Sequence, residues 1–475
     1  MATAKAEKSG LSAWIDKYFE ISQRGSTIGT EVRGGLVTFI TMAYIVVLNP
    51  VILSAVPDVA GTQLSFNAVS ASTALVAGVI TILFGFIARL PFAFAAGLGL
   101  NAFVAFTLSG YLTYAEAFFL VVINGVIIVI LGATGLRTLI FNAVPMQLKI
   151  AITVGIGLFI ALIGFVNGGF VTATGNASPP IGLGTGGSIA SWATVVFIIT
   201  LLTIGILYAR KVKGAILIGI IFGTIVAVIS NLVAPGSVPG GATFDSESAL
   251  VALPDLSLVG AIAPIDFGRV SVIAVVMLLF TLIFTNFFDA VGTFTGLARQ
   301  AGVADENGNF PRLRSALVVE GFGAVAGGAA SASSNTVFVE SSAGIGEGAR
   351  TGLANIVTGV LFLLAMFLTP IYSFIPSHVA SAALVAVGVL MMMQIKDIDW
   401  SDYSIALPVF LTIAAMPFTY SIAAGIGAGF ISYVVVRSLS GKGREISPLL
   451  WICAAGFVIY FAHGPIEAWI SSLAG

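Results

Sequence analysis

Charge is what this chain has least of. Lys, Arg, Asp and Glu make up only 9% of its 475 residues, against about 25% in an ordinary soluble domain. No charged side chain occurs between Lys149 and Arg210, and the stretch from Arg350 to Lys396 is equally bare apart from His378. A bilayer crossing takes about 20 apolar residues, so each interval has room for two crossings joined by a short uncharged loop. Cysteine occurs once, as Cys453, and histidine twice, as His378 and His463. A lone cysteine excludes an internal disulfide and a thiolate cluster, and the histidines have no partners at ligand spacing, so no metal site is expected. There is no Ser/His/acid set and no phosphate-binding Walker loop, which argues against an enzyme and against ATP-driven pumping; no cofactor is expected. Residues 1–33 mix Lys5, Lys8, Lys17, Arg24 and Arg33 with Glu7, Asp16, Glu20 and Glu31 and lack an apolar h-region, so no cleavable signal peptide is expected. With a net charge of −1, nothing points to nucleic acid.

What the chain has instead is apolar surface: 58% hydrophobic residues and a mean hydropathy of +1.08. It reads as an all-α polytopic membrane protein whose main partner is the lipid bilayer. Residues 11–24 form an amphipathic lead-in, with Leu11, Trp14, Ile15, Tyr18 and Phe19 on one face. The first seven membrane elements fall at 34–54, 67–88, 91–109, 115–135, 146–167, 189–209 and 214–234. Seven more follow at 269–298, 315–331, 335–348, 351–374, 378–395, 403–417 and 420–438. Under that count Arg89, Arg137, Lys149, Arg210, Lys211 and Lys213, and later Arg299, Arg312, Arg314, Lys396, Arg437, Lys442 and Arg444, share one side. The positive-inside rule makes that side, and the N-terminus, cytoplasmic. The loop between the halves carries Asp245, Glu247, Asp255 and Asp266, as an external loop can. A last apolar run, Leu449 to Ile470, contains Gly464, Pro465 and Glu467 and reads as an interfacial or peripheral helix.

The halves align by arithmetic. Glu347 minus Glu116, Asn355 minus Asn124 and Pro376 minus Pro145 all give 231. Seven elements per half is odd, so the copies must lie inverted in the bilayer. Inverted repeats build secondary transporters, whose sites form where discontinuous helices of both repeats meet near the midplane.

Two stretches fit that description. Ser331 to Val360 is Gly-rich and polar, with Thr336 to Val339 favouring a short strand and Glu340 behind it; Ala95 to Ser109 holds Gly97, Gly99 and Asn101. Each reads as a strand feeding a half-helix, and the two strands are expected to meet antiparallel in elements 3 and 10. Gly97 and Gly99 are read as permitting backbone geometry that side chains forbid. Carboxylates at membrane depth are costly and mark substrate or proton paths, which singles out Asp289 and Glu340 and, nearer a span end, Glu320. Asn286 lies one helical turn before Asp289. In an extended chain Phe338 shares a side with Glu340, where an aromatic face suits a flat heterocycle. Thr41, Tyr44 and Asn49 are polar candidates from the first span. Glu347 and Arg350 read as a structural ion pair or a helix-start charge arrangement, and Glu320 as within reach of Arg314 or of an interface.

Five motifs carry a resemblance over nearly the whole chain. They are Thr30-Glu31-Val32-Arg33-Gly34-Gly35 running on to Thr41-Met42-Ala43-Tyr44-Ile45, Gly97-Leu98-Gly99-Leu100-Asn101-Ala102, Phe288-Asp289-Ala290-Val291-Gly292-Thr293, Val339-Glu340-Ser341 with Ala343-Gly344-Ile345, and Met416-Pro417-Phe418-Thr419-Tyr420-Ser421-Ile422. Together they resemble the azaguanine-like purine permeases of the nucleobase:cation symporter family, within the xanthine/uracil permease superfamily. The resemblance implies a 7+7 inverted repeat with a core domain (34–138 and 269–376) sliding against a gate domain (139–236 and 377–440). Outside these lie the lead-in 1–33, the external loop 237–268 and the C-terminal segment 441–475. It also implies proton symport of hypoxanthine, guanine or adenine across the cell membrane, with sodium the other candidate ion and a homodimer the candidate assembly. Asn101, Asp289, Glu340 and Phe338 match the base-binding positions; Asn286, Thr41 and Thr293 complete the candidate substrate set, and Asp289 or Glu340 carries the proton. One departure is Asn286, where many relatives carry Asp. The alternatives are a uracil or xanthine permease of the same fold, a channel, or an inorganic-anion transporter; the last would want a cationic site, and no Arg or Lys is expected in the cavity.

Overall fold

In a bilayer, apolar runs satisfy their backbone groups internally and become helices, and small capping side chains decide where each begins. The computed structural model describes residues 10–134, 144–176, 178–240, 250–304 and 310–462. Lys5, Glu7, Lys8, Arg137, Asp245, Glu247, His463, Gly464, Pro465 and Glu467 lie outside these. A lead-in helix, α1 (Leu11–Phe19), precedes α2 (Ile28–Met42) and α3 (Ile45–Leu53), which run on as one crossing of 26 residues. The pattern alone starts this crossing at 34. The structure starts it at Ile28, because the Thr27 side chain accepts from Thr30 N at 3.1 Å and caps the helix.

Then come α4 (Phe66–Ile87), β1 (Phe94–Ala96), α5 (Leu98–Phe106), α6 (Tyr114–Thr134) and α7 (Met146–Asn167). A hairpin of β2 (Val171–Ala173) and β3 (Ile181–Leu183) leads to α8 (Trp192–Ala209) and α9 (Ala215–Val233). This hairpin replaces the plain connector expected there; strands of three residues are too short for alternation to register in the sequence. The second half runs α10 (Val272–Gln300), α11 (Leu313–Ala329), β4 (Asn335–Val337), α12 (Ser341–Gly346), α13 (Gly352–Ala365) with α14 (Thr369–Ser373), α15 (Ser377–Met392), α16 (Tyr403–Thr419) and α17 (Ile422–Arg437). A last helix, α18 (Pro448–Phe461), leans on α17 and α10. There the Phe457 ring lies 6.0 Å from Phe430 and 5.6 Å from Phe280.

The chain is thus an all-α polytopic bundle of fourteen elements in two inverted sevens, with the discontinuous elements 3 and 10 formed by β1–α5 and β4–α12. β1 pairs antiparallel with β4, setting Phe94 opposite Val337, Ala95 opposite Thr336 and Ala96 opposite Asn335. The offset of 231 has a structural counterpart at each of its three pairs. Pro145 and Pro376 are the N-cap residues of α7 and α15, with nearly the same backbone angles. Asn124 and Asn355 are both buried, on α6 and α13. Glu116 pairs with Arg269, just before α10, while Glu347 pairs with Arg33 on α2 at 3.0 Å. Each half's glutamate takes its arginine from the other half. The strands are offset by 241 (336 minus 95), ten more than the helices that follow, and α5 has nine residues where α12 has six.

Helices of the two halves interleave: α4 packs on α13, α6 on α11, and α12 and α13 on α2, while α7 packs on α15 and α16. At the end where the chain begins, the Glu20 carboxylate receives Arg24 at 2.7 Å, Arg312 at 3.0 Å and Arg89 at 3.4 Å. The Arg89 guanidinium also lies 4.1 Å from the Tyr18 ring centre. These contacts pin α1 to the ends of α4 and α11, leaving Leu11 and Trp14 exposed.

Candidate functional site

The two strands end where two half-helices begin, and that junction brings the sequence's candidates together. Gly97 is the N-cap of α5, its own N–H spent on Ser334 O at 3.0 Å. No side chain caps α5, so the N–H groups of its first turn point outward without an intrahelical partner. Asn101 sits on that turn, fully buried, and neither its amide nitrogen nor its oxygen has a partner among the described residues. A buried amide left unpaired is costly, which marks Asn101 as a group kept for a ligand. Gly97 has ordinary extended angles (φ −68°, ψ 118°), so it is not there for unusual backbone geometry. The need is space: a Cβ on it would stand 2.9 Å from the Thr336 Cγ2 and 3.7 Å from an Asp289 carboxylate oxygen. Asp289 on α10 therefore faces the strand crossing beside Asn101's half-helix. Thr336, an ordinary strand residue by sequence, is buried there, and its hydroxyl has no partner among the described residues.

Asn286, one turn before Asp289, donates to Ser334 Oγ at 3.1 Å, and its carbonyl oxygen has no partner among the described residues. It ties α10 to the approach of β4. Thr293 donates to the Asp289 backbone carbonyl at 2.9 Å rather than to its carboxylate.

Glu340 occupies the turn after β4. The expectation that Phe338 and Glu340 share a side of a strand fails, because β4 stops at Val337 and Glu340 already has helical angles (φ −61°, ψ −17°). Phe338 is 6% exposed and packs in the main apolar core, its N–H on Ala93 O at 2.9 Å. Glu340 is half-buried and accepts a hydrogen bond from the Tyr44 hydroxyl. It lines a cavity of about 290 Å³ together with Thr41, Tyr208, Lys211, Lys213, Ser342 and neighbours. The Thr41 hydroxyl bonds to the carbonyls of Val37 (3.0 Å) and Thr38 (2.9 Å) and approaches that of Glu340 at 3.4 Å. Asn49 is spent elsewhere, on Thr73 Oγ1 at 2.7 Å and Ala332 O at 3.0 Å. Glu340 and Glu320 both lie near enough to Asp289 to act on it electrostatically.

Two further expectations change. The cavity was expected to hold no Arg or Lys, yet Lys211 and Lys213, from the turn between α8 and α9, line it; their arrival is a tertiary event with no local signature. Glu347 does not pair with Arg350. It pairs with Arg33 and Lys213, while the Arg350 guanidinium donates to the carbonyls of Ile345 and Ala349, both at 2.7 Å. The Arg314 guanidinium donates to Ala133 O; Glu320 is fully buried on α11. Glu31 instead takes the N–H groups of Arg350 (2.8 Å) and Thr351 (3.2 Å), steadying the start of α13.

A second cavity, of about 540 Å³, lies toward the far end of the first crossing, lined by Ser54, Ser65, Asn67, Asn167 and Ser377 among others and, among the described residues, by no charged side chain. Among the described residues no His/Cys/Asp/Glu group could hold a metal. The arrangement can bind a small polar molecule through carboxylates, an amide and helix N–H groups, and nothing in it performs covalent chemistry.

Comparison with known proteins agrees. By fold, the chain is similar to the transmembrane domain of a cyanobacterium bicarbonate transporter, BicA, with a TM-score of 0.60 at 17% identity, covering 83% of this chain and 97% of that one. It is also similar to murine Slc26a9, an anion transporter in the inward-facing state, with a TM-score of 0.59 at 12% identity, covering 93% of this chain and 74% of that one. By sequence, it is 38% identical to the guanine/hypoxanthine permease PbuG of Bacillus subtilis, over 94% of this chain and 98% of that one. It is 33% identical to the adenine permease AdeQ of Escherichia coli, over 95% and 97%, and 36% identical to a putative permease of Methanocaldococcus jannaschii, over 95% and 99%. Residues 29–428 match the model of the Permease family, and with relatives this similar end to end, the chain belongs to that family.

Proposed function

We propose that this membrane permease imports purine nucleobases (hypoxanthine, guanine or adenine) by proton symport. The observation that carries the reading is the β1–β4 junction, where the unpartnered Asn101 amide and the Asp289 carboxylate face the start of α5. A purine presents N–H donors and ring or carbonyl acceptors along its edge. Carboxylates accept from the donors, and an amide with both functions answers either. Named purine permeases at 33–38% identity over almost the full chain support the same choice.

In this reading the base lies at the junction of the two half-helices, with Asn101, Asp289 and Glu340 as principal contacts and Asn286, Thr41, Thr293 and Phe338 around them. Asn286 cannot titrate, so Asp289 or Glu340 carries the proton. Elements 1–4 and 8–11 (34–138 and 269–376) form a core that slides against a gate (139–236 and 377–440). The two cavities, one reaching Glu340 and one at the far end, are the remnants of alternate access paths. The end holding the Glu20 and Glu347 ion pairs is cytoplasmic, as the positive-inside rule requires.

The test is thermal stabilisation of the purified chain across a panel of bases, followed by labelled hypoxanthine uptake in vesicles with uracil, xanthine and adenine as competitors. Stabilisation and competition confined to hypoxanthine, guanine and adenine, with uptake abolished by a protonophore, are expected. Preference for uracil or xanthine would replace the substrate, and unchanged uptake after protonophore addition would remove the proton. An anion-transporter reading draws on the two lysines of the cavity and on the fold of the structural neighbours. Stabilisation by bicarbonate or chloride and not by any base would establish it.

A further inference from the structure

A neutral base has no use for cations, yet the cavity that reaches Glu340 is rimmed by them. Lys211 and Lys213 line it from the α8–α9 turn, together with Glu340 and Ser342. Lys213 is held by Glu347, whereas no carboxylate pairs with Lys211 among the described residues. The positive-inside rule accounts for lysines on this face; it does not account for their lining a cavity that also reaches the site carboxylate. The cavity's volume is about 290 Å³, just under the range of roughly 300–1,000 Å³ typical of small-molecule pockets.

We propose that this cavity binds purine nucleoside 5′-monophosphates, the base toward Glu340 and the phosphate on Lys211 at the rim, so that a nucleotide competes with the base from this face. The inference rests on the purine reading above and adds regulation of the same site. The phosphate is the group that gives Lys211 a purpose, since ammonium groups bind phosphate as point charges. The ribose spans the neutral stretch of wall between rim and carboxylate. The molecule is held rather than carried: its phosphate keeps it at the rim, where it blocks the path a base would take. A transporter whose cargo is consumed by phosphoribosylation would in this way slow as that class of product accumulates.

The experiment measures binding of labelled hypoxanthine to the purified full-length chain in the presence of inosine or guanosine 5′-monophosphate, with inorganic phosphate and uridine 5′-monophosphate as controls. Both purine nucleotides are expected to displace the base and both controls to fail. Added salt should weaken the nucleotides and spare the base, because rim charges are screened. Lys211→Gln should weaken nucleotide competition about fivefold to tenfold, as for one partly exposed charge pair, with base affinity unchanged, and Lys211→Arg should retain it. Base binding without displacement by purine nucleotides overturns this inference and leaves the transport reading standing, as does equal displacement by phosphate or uridine monophosphate, or full competition in Lys211→Gln. Failure of every purine base to bind overturns both.

Discussion

The Tyr44 hydroxyl donates to the Glu340 carboxylate, joining the first crossing to the turn that follows β4. Tyr44 is 1% exposed, and a buried hydroxyl must be partnered, so the bond fixes one oxygen of a carboxylate that lines the cavity. Hydrogen bonds to charged groups contribute about 1.5–3 kcal/mol. Tyr44→Phe, which keeps the ring and its packing, is expected to weaken base binding about tenfold or more. Isothermal titration with hypoxanthine checks this, and an unchanged affinity would remove Tyr44 from any role in positioning Glu340.

Gly99 packs where a side chain has no room. A Cβ there would stand 2.7 Å from Ile156 Cγ2 on α7, and overpacking of that kind costs about 1–3 kcal/mol. Gly99→Ala is therefore expected to lower the melting temperature, and Ile156→Ala in the same chain to recover much of the loss. Additive losses in the double variant would show that the two residues do not meet.

Glu20 gives a pH dependence outside the membrane segments. Burial pushes its carboxyl up, but Arg24, Arg312 and Arg89 together outweigh burial and hold it below its ordinary value of 4.5. As the pH falls the unfolded chain therefore takes up this proton first. The contribution to stability is complete above the unfolded value and is lost as pH drops through the folded one. Glu20→Gln should melt lower than the natural chain at pH 7, and the gap should close as the pH falls through and below the ordinary value of 4.5. A gap that stays constant through that fall would mean the three arginines do not act through this carboxylate.

Much of this was legible because polar residues are expensive in a bilayer. Asn101, Asp289 and Glu340 stand out against apolar neighbours, and Pro145 and Pro376 mark the same helix start in both halves. What a pattern could not show was where short elements stop. The parity argument for Phe338 needed β4 to run to Glu340, and it ends at Val337. Nor does sequence reveal which distant residues arrive at a site. Thr336 looks like an ordinary strand residue until Gly97 packs on it. Lys211 and Lys213 look like topology signals until the α8–α9 turn folds over the cavity. Glu347 sits three residues from Arg350 in the chain, yet it reaches Arg33 and Lys213 instead, since the fold delivers these to it from other elements.

Tyr420 joins the two groups of helices that the transport reading requires to move. It caps α16 in the left-handed region (φ 54°), and its ring meets Phe106 of α5 at 5.6 Å and Phe159 of α7 at 5.2 Å, both edge-to-face. Each such pair is worth about 0.5–1.5 kcal/mol beyond the area it buries. Phe106 ends the Asn101 half-helix, whereas Phe159 and Tyr420 belong to helices on the other side of the proposed sliding surface, so these contacts hold one arrangement of the two groups. Tyr420→Phe keeps both ring pairs and should leave stability and uptake close to those of the natural chain. Tyr420→Ala removes both; it should lower the melting temperature and change the maximal uptake rate several-fold while leaving base affinity within about twofold. A fall in affinity with an unchanged maximal rate would place Tyr420 in the binding site rather than at the surface between the moving parts.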